Sequence, residues 1–186
     1  MPPKSMSWHW PKKTWKSCTD GDRREGSAFL DINIPLYAYT TTQFSLSCEI
    51  LLERVQAEDV TGYINSTVID EFFHKALLTQ IYIEKHLSPR EAIAYIKKHP
   101  AILNTLDTPY TVTREVMEQY NLRVLDTSDV LADTLRISQQ YGLLFSDALH
   151  AASARRHHID YFVTNDRDFD RVDFLTLVRP SAEENS

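Results

Sequence analysis

Residues 162–170 read FVTNDRDFD: an apolar pair runs into a polar step, and then three aspartates fall within five residues, Asp166, Asp168 and Asp170. Carboxylates about 4 Å apart repel by roughly 4 kcal/mol even at an effective dielectric near 20, so the crowding needs a cause. A solvated turn is one, since Asn and Asp hydrogen-bond nearby backbone and tolerate left-handed conformations. Whether this stretch is only a turn, or the end of a strand delivering acids to a site, depends on whether other segments do the same.

They do. Near the start, SAFLDIN places a short apolar strand, Ala28 to Leu30, directly before Asp31, and the chain then turns or enters a helix around Pro35. QFSLSCEILLERVQAED carries Phe44, Leu46, Ile50, Leu51 and Val55 at mostly helical spacing, and VTGYIN reads as a second strand. Ser66 or Thr67 is the expected cap of a helix running to His86, with Val68, Phe72, Leu78 and Ile81 in its apolar stripe. SPREAIAYIKKHP has Ser88 as cap, Pro89 at the first helical position, Glu91 three residues after the cap and Lys97 and Lys98 at the end. A short helix is expected over 112–120, LRVLD as a strand, and a helix over 128–141 closed by Gly142. Ser146 is the expected cap of DALHAASARRHH, whose Ala148, Ala151 and Ala152 form a small face suited to lying close on a sheet. YFVTND gives the next strand and FLTLV a last, edge-like one. Strands alternating with helices predict an α/β fold: a central parallel sheet with helices on both faces, and a ligand crevice at the carboxyl ends of the strands.

The chain has 186 residues, enough for one domain with a sizeable core at 42% hydrophobic content. Residues 1–26 differ, interleaving Pro, Lys and all three tryptophans without helical or strand period, and are expected to be a disordered basic and aromatic tail. Residues 27–180 form the expected domain and 181–186 a polar end. A formal net charge of −6 argues against a globally basic nucleic-acid coat and leaves a local basic groove open. Two cysteines, Cys18 and Cys48, argue against a disulfide scaffold or a four-ligand zinc site. With no signal-peptide pattern and no run able to span a bilayer, the expectation is a cytoplasmic protein without membrane contact.

Asp31 follows the first strand directly and Asp166 follows the strand at 161–163 by two residues, so both project from carboxyl ends. Asp147 stands in the first turn of its helix, where the helix dipole favours a carboxylate, and Glu71 lies early in the helix after the second strand. Each acid alone has an ordinary explanation, as a turn residue, a dipole partner or a solvated side chain. Together in one crevice they repel unless a divalent cation holds them, and oxygen-only ligation suits Mg²⁺ or Mn²⁺.

FLDIN, STVIDEFFHKAL, FSDALHAASA and FVTNDRDF, in this order and spacing, resemble the motifs of the PIN-domain nucleases, and in particular the VapC-type toxin ribonucleases. The resemblance covers about 27–178. It implies a three-layer α/β/α PIN-like fold. Its acidic quartet would be Asp31, Glu71, Asp147 and Asp166, catalytic and metal-ligating, with Asn33 and Thr164 as polar support. Asp168 would be a second acid of the closing motif, and Phe169 would pack. Asp70 and Glu71 lie about 100° apart on a helix, so at most one aims well at the crevice, and the motif selects Glu71. The resemblance further implies Mg²⁺- or Mn²⁺-dependent hydrolysis of RNA with water as the nucleophile, a cognate antitoxin as partner, and a homodimer.

Phosphate grip is expected from Arg114, Lys97, Lys98, Arg155, Arg156 or Arg167, each of which alone reads as a solvated face. His150, one turn after Asp147, reads as a structural or surface histidine in preference to a proton carrier. Three other readings compete: a noncatalytic binding module on the same fold, a housekeeping RNA-processing nuclease, and a phosphoryl-accepting receiver domain. The last lacks the lysine it needs at a later strand end.

Overall fold

A computed structural model describes residues 26–182. The expected tail at 1–25, with its three tryptophans and Cys18, and the last four residues of the polar end lie outside the described residues. Five parallel strands form the sheet: β1 (Ser27–Leu30), β2 (Thr61–Asn65), β3 (Arg123–Leu125), β4 (Tyr161–Val163) and β5 (Leu177–Val178). Their order is β3-β2-β1-β4-β5. The chain builds outward from β1 to one side, then crosses over and builds to the other, so the strand order reverses at β1 and β4. In open α/β sheets the crevice opens at such a reversal. Register pairs Leu30 with Val163, and the Asp31 N–H extends the ladder to the Val163 carbonyl at 3.0 Å, so Asp31 emerges beside Thr164.

The helices are α1 (Asn33–Ala38), α2 (Ser45–Gln56), α3 (Ser66–Lys85), α4 (Pro89–Lys98), α5 (Thr108–Gln119), α6 (Leu131–Tyr141) and α7 (Phe145–Arg156). Ala28, Phe29 and Leu30 are fully buried, as a central strand covered on both faces requires. Phe29 stacks on Phe162 with centroids 5.2 Å apart, and Phe162 meets Phe169 at 4.6 Å, which makes Phe169 the packing residue expected of it. The alanine face of α7 is buried as predicted, because small side chains let the helix backbone approach its neighbours. A second, smaller cluster of Leu77, Ile81, Ala92 and Leu106 joins the far half of α3 to α4.

The main helices and strands fall where the sequence places them, and local details depart. Ser88 and Glu91 form the expected capping box, and Gly142 ends α6 at φ 64°. The cap of α3, however, is Asn65 and neither Ser66 nor Thr67, and α7 begins after Leu144, which leaves Ser146 inside the first turn. Helix α5 starts at Thr108, four residues before the expected Val112, because Pro109 fits a first helical turn. A 3₁₀ segment, Pro100–Thr105, fills what the sequence leaves as a connection.

Asn65 does more than cap. It is fully buried, its Oδ1 accepts the Val68 N–H at 3.2 Å, and its Nδ2 donates to Ser153 Oγ at 3.3 Å, tying the start of α3 to α7. Asn65→Ala removes a helix cap and a buried cross-link, and is expected to lower the unfolding free energy by about 2 kcal/mol. Urea denaturation checks this, and a loss below about 0.5 kcal/mol would mean the link carries no stability.

Candidate active site

The candidate site is built on Asp31, the first residue past the buried strand β1. Only 3% exposed, its carboxylate is held from three directions: Oδ1 accepts the Ile32 N–H at 2.8 Å, and Oδ2 accepts Thr164 Oγ1 at 2.6 Å and Asn33 Nδ2 at 2.7 Å. A carboxylate has about four lone-pair positions, so capacity remains for one further partner. Thr164 spends its hydroxyl proton on Asp31, and its oxygen accepts the Asp166 N–H at 2.9 Å and Asn33 Nδ2 at 3.1 Å. Asn33 Oδ1 in turn accepts the Asn165 N–H at 3.0 Å. Asn33 and Thr164 therefore sew the end of β1 to the loop after β4.

That loop carries Asp166, whose side chain is exposed and caps a short 3₁₀ turn, Arg167–Arg171, by accepting the Asp168 N–H at 2.8 Å. Asp168 contributes its backbone to Asp166, while its carboxylate turns outward to Arg171. A residue the sequence reading does not single out, Arg179, holds the loop from behind: Nη1 donates to the carbonyls of Thr164 and Asp166 at 3.0 and 2.6 Å, and Nη2 pairs with Asp170. The three aspartates thus divide their work. Asp166 caps the turn and its field reaches Asp147, and Asp168 and Asp170 are spent on arginines.

Asp147 and Glu71 come from the helices. Asp147 is half-buried in the first turn of α7, and its carboxyl is pushed up to about 6. Burial is the largest cause; His150 opposes it, and the negative fields of Asp31, Asp166 and Glu71 add to it. The fields of the other three acids named from the sequence therefore all reach Asp147. Asp31 is likewise raised above the ordinary carboxylate range by burial, against the pull of His150 and its hydrogen bonds. Glu71 goes the other way: His150, whose Nε2 lies 3.7 Å from Oε2, holds its carboxyl below the ordinary range. Asp70 is exposed to solvent, as the choice of Glu71 over its neighbour requires.

Among the described residues no three His, Cys, Asp or Glu side chains already stand close enough together to grip an ion. The donor set still fits a hard divalent cation. It is oxygen-only, one carboxylate is fixed in advance, and the fields of three neighbouring acids add to the burial that raises the carboxyl of Asp147 to about 6. Mg²⁺ keeps several of its waters and is usually bound through one or two carboxylates plus substrate phosphate, so a closed protein cage is not needed.

The cations are placed differently from expectation. Arg155 and Arg156 end α7, at the opposite end of the helix from Asp147, and pair with Asp133 and Asp129; Arg155 also lies over the Phe174 ring at 4.8 Å. They brace α7 against neighbouring elements and do not face the crevice. Lys97 and Lys98 close α4, on the satellite side of α3. Arg167 is exposed beside Asp166, and Lys75, not singled out by the sequence, is exposed one turn beyond Glu71 and near enough to help lower its pKa.

Because the folded Asp147 carboxyl keeps its proton to about pH 6 where an unfolded one releases it near 3.8, the folded state binds more protons between these values and loses stability as pH rises through them. In chelator at pH 7, Asp147→Asn is expected to stabilise the protein by about 1 kcal/mol, a figure already discounted for the solvent screening of a half-exposed group. Thermal unfolding between pH 4 and 7 checks it: an unchanged or lowered midpoint for the variant would show that the acids do not strain one another.

The PIN domain family model matches residues 28–175. Ribonuclease VapC2 of Methanocaldococcus jannaschii is 31% identical over 158 residues, spanning 83% of this chain and 94% of that protein. Ribonuclease VapC6 of the same organism is 27% identical over 106 residues, 54% of this chain and 69% of that protein. In three dimensions the chain resembles a chain of the VapBC2 complex of Rickettsia felis bound to a promoter DNA fragment, with TM-score 0.53, 19% identity, and 83% and 99% of the two chains covered. It also resembles a chain of a toxin-antitoxin complex from Klebsiella pneumoniae, with TM-score 0.52, 18% identity, and 84% and 99% covered. At those identities the structural likeness speaks to the fold, and the family model and the VapC2 match speak to descent. The chain belongs to the PIN-domain family, among its VapC-type ribonucleases.

Proposed function

We propose that this chain is a Mg²⁺- or Mn²⁺-dependent endoribonuclease, the toxin of a type II toxin-antitoxin pair, with Asp31, Glu71, Asp147 and Asp166 as its catalytic and metal-holding residues. The observation that carries the reading is the carboxylate of Asp31, fixed by Thr164 and Asn33 at the end of β1, with Asp147 near enough that the fields of Asp31, Asp166 and Glu71 all add to the burial that raises its carboxyl. A bound divalent cation supplies Lewis acidity, acidifying water and neutralising charge that builds on a phosphate.

The chain's own residues supply the rest. Thr164 and Asn33 hold Asp31 in one rotamer, so its free lone pair is aimed before any ligand arrives, and a pre-set dipole costs no reorganisation during the reaction. Arg179 fixes the backbone under Asp166. Glu71 and Asp147 stand on separate helices, and both carboxyls, like that of Asp31, feel the field of His150. Exposed Arg167, next to Asp166 in the chain, and exposed Lys75, which acts on Glu71, offer positive charge for an RNA backbone. Binding through such phosphate contacts weakens with salt and gives little sequence choice.

The toxin role draws on the VapC2 relative and on the toxin-antitoxin complexes that share the fold. It is tested by expressing the chain in a host cell with and without the neighbouring small open reading frame; arrest relieved by that frame supports the pair, and growth unaffected by the chain argues for a housekeeping nuclease. A homodimer belongs to the same reading, and light scattering of the purified chain checks it. No helix of the described residues is long and apolar enough to cross a membrane.

Purified protein incubated with single-stranded and structured RNA plus Mn²⁺ is expected to cleave internally and to stop when chelator is added. Asp31→Asn and Asp147→Asn are each expected to lower the rate at least about 100-fold, the scale on which removing one pre-set electrostatic group acts. Cleavage that survives chelation, or equal rates in the variants, would refute the site.

A further inference from the structure

Near the acids, His150 carries polar atoms to which the proposed function gives no role. It is fully buried, and neither ring nitrogen has a hydrogen-bond partner among the described residues. Buried polar groups are nearly always paired, so an imidazole with two idle nitrogens in a core needs a reason to be there. It lies against Phe29 of the central strand, centroids 5.5 Å apart, beneath the acids on the core side. Its Nε2 is 3.7 Å from Glu71 Oε2, a few tenths of an ångström beyond a hydrogen bond. Its field reaches Asp31, Asp147 and Glu71 alike. Glu71 otherwise has little to hold it. Its carboxylate is 29% exposed on a long flexible stem, with Ser146 and the solvent-facing Lys75 as its remaining influences.

We propose that His150 is a positioning residue: its Nε2–H donates to Glu71 Oε2 from the core side and keeps that carboxylate turned into the crevice when the divalent cation binds. A carboxylate facing Nε2 selects the tautomer with the proton there, so the bond needs only a small closing movement. Such bonds are often long in the free protein and tighten on loading. Partners behind metal-holding groups act by orientation, and their loss typically lowers metal affinity about 10- to 100-fold. The proposal rests on the metal-dependent nuclease reading.

The test measures Mn²⁺ affinity by calorimetry, alongside RNA cleavage and thermal unfolding, for the wild type, H150F, H150Q, E71Q and the H150F/E71Q pair. Phenylalanine fills the same space without a donor and replaces two unpaired nitrogens, so H150F is expected to fold with an unchanged or raised melting temperature. It is expected to bind Mn²⁺ about 10-fold more weakly and to lose activity in proportion. Glutamine places an N–H near the position of Nε2, and H150Q is expected to recover most of the loss. In the E71Q background, H150F should cost little more, because both changes remove one interaction. If the wild type binds Mn²⁺ and D147N weakens it while H150F leaves affinity untouched, or if H150F and E71Q add fully, His150 is a core residue only and the inference is overturned while the nuclease reading stands. A wild type that binds no Mn²⁺ overturns both.

Discussion

Like charges drawn into one crevice push the backbones that carry them apart, so everything about this site depends on what resists that push. The resistance comes from β1. Its residues Ala28, Phe29 and Leu30 are wholly buried between β2 and β4, and the ladder to β4 continues through the Asp31 N–H, one residue past the strand. Burying a phenylalanine or leucine side chain is worth about 1.5–3 kcal/mol. A strand of such residues can anchor a carboxylate whose burial and neighbours make it costly to ionise. The order β3-β2-β1-β4-β5 then does the rest, since the reversal at β1 and β4 puts Asp31 and Asp166 on adjacent strand ends.

The anchoring is uneven, and the unevenness has a physical sense. Asp31, Thr164 and Asn33 form a closed hydrogen-bonded set that joins residues far apart in the chain. Asp166 is solvent-exposed on a loop pinned through its backbone by Arg179, and Glu71 is a long side chain near the helix surface. One half of the candidate site is buried and hydrogen-bonded, and the other half is exposed to solvent. A site fixed throughout would hold four unneutralised carboxylates at closest approach in the empty protein. One loose throughout would spend binding energy on ordering them.

Sequence made legible whatever is repeated along the chain or carried by many residues at once. The strand-helix alternation gave the parallel sheet, and strand-end logic brought Asp31 and Asp166 together. Helix caps were less legible, because Asn65, Ser66 and Thr67 are adjacent residues all able to cap, and only burial against Ser153 distinguishes Asn65. The start of α5 was missed because Thr108 and Pro109 precede any apolar periodicity; Pro109 was the available signal. Arg155 and Arg156 were candidates for phosphate grip on charge alone, and their true partners, Asp129 and Asp133, lie on other elements. Arg179, beyond the last strand, acts on backbone carbonyls, which leave no trace in the pattern of side chains. His150 differed again. A histidine one turn from an acid is common, and whether it faces core or solvent depends on how closely α7 lies on the sheet.

Charge distribution explains how a chain of net charge −6 can present an anionic crevice to an anionic polymer. The arginines at the far end of α7 are neutralised by their own aspartates, and Arg171 and Arg179 are spent on Asp168 and Asp170. These four arginines are therefore not free to attract RNA from a distance. At physiological salt, potentials fall off over about 8 Å, so exposed side chains at the rim, such as Lys75 and Arg167, act only on a phosphate already close by. A backbone phosphate entering without a cation would meet the negative fields of the acids that add to the effect of burial on Asp147. Occupancy of the crevice by positive charge and capture of a polyanion are thus coupled, each lowering the electrostatic cost of the other. On the metal-dependent reading proposed above, selectivity for a metal-loaded state follows from the arrangement of the acids.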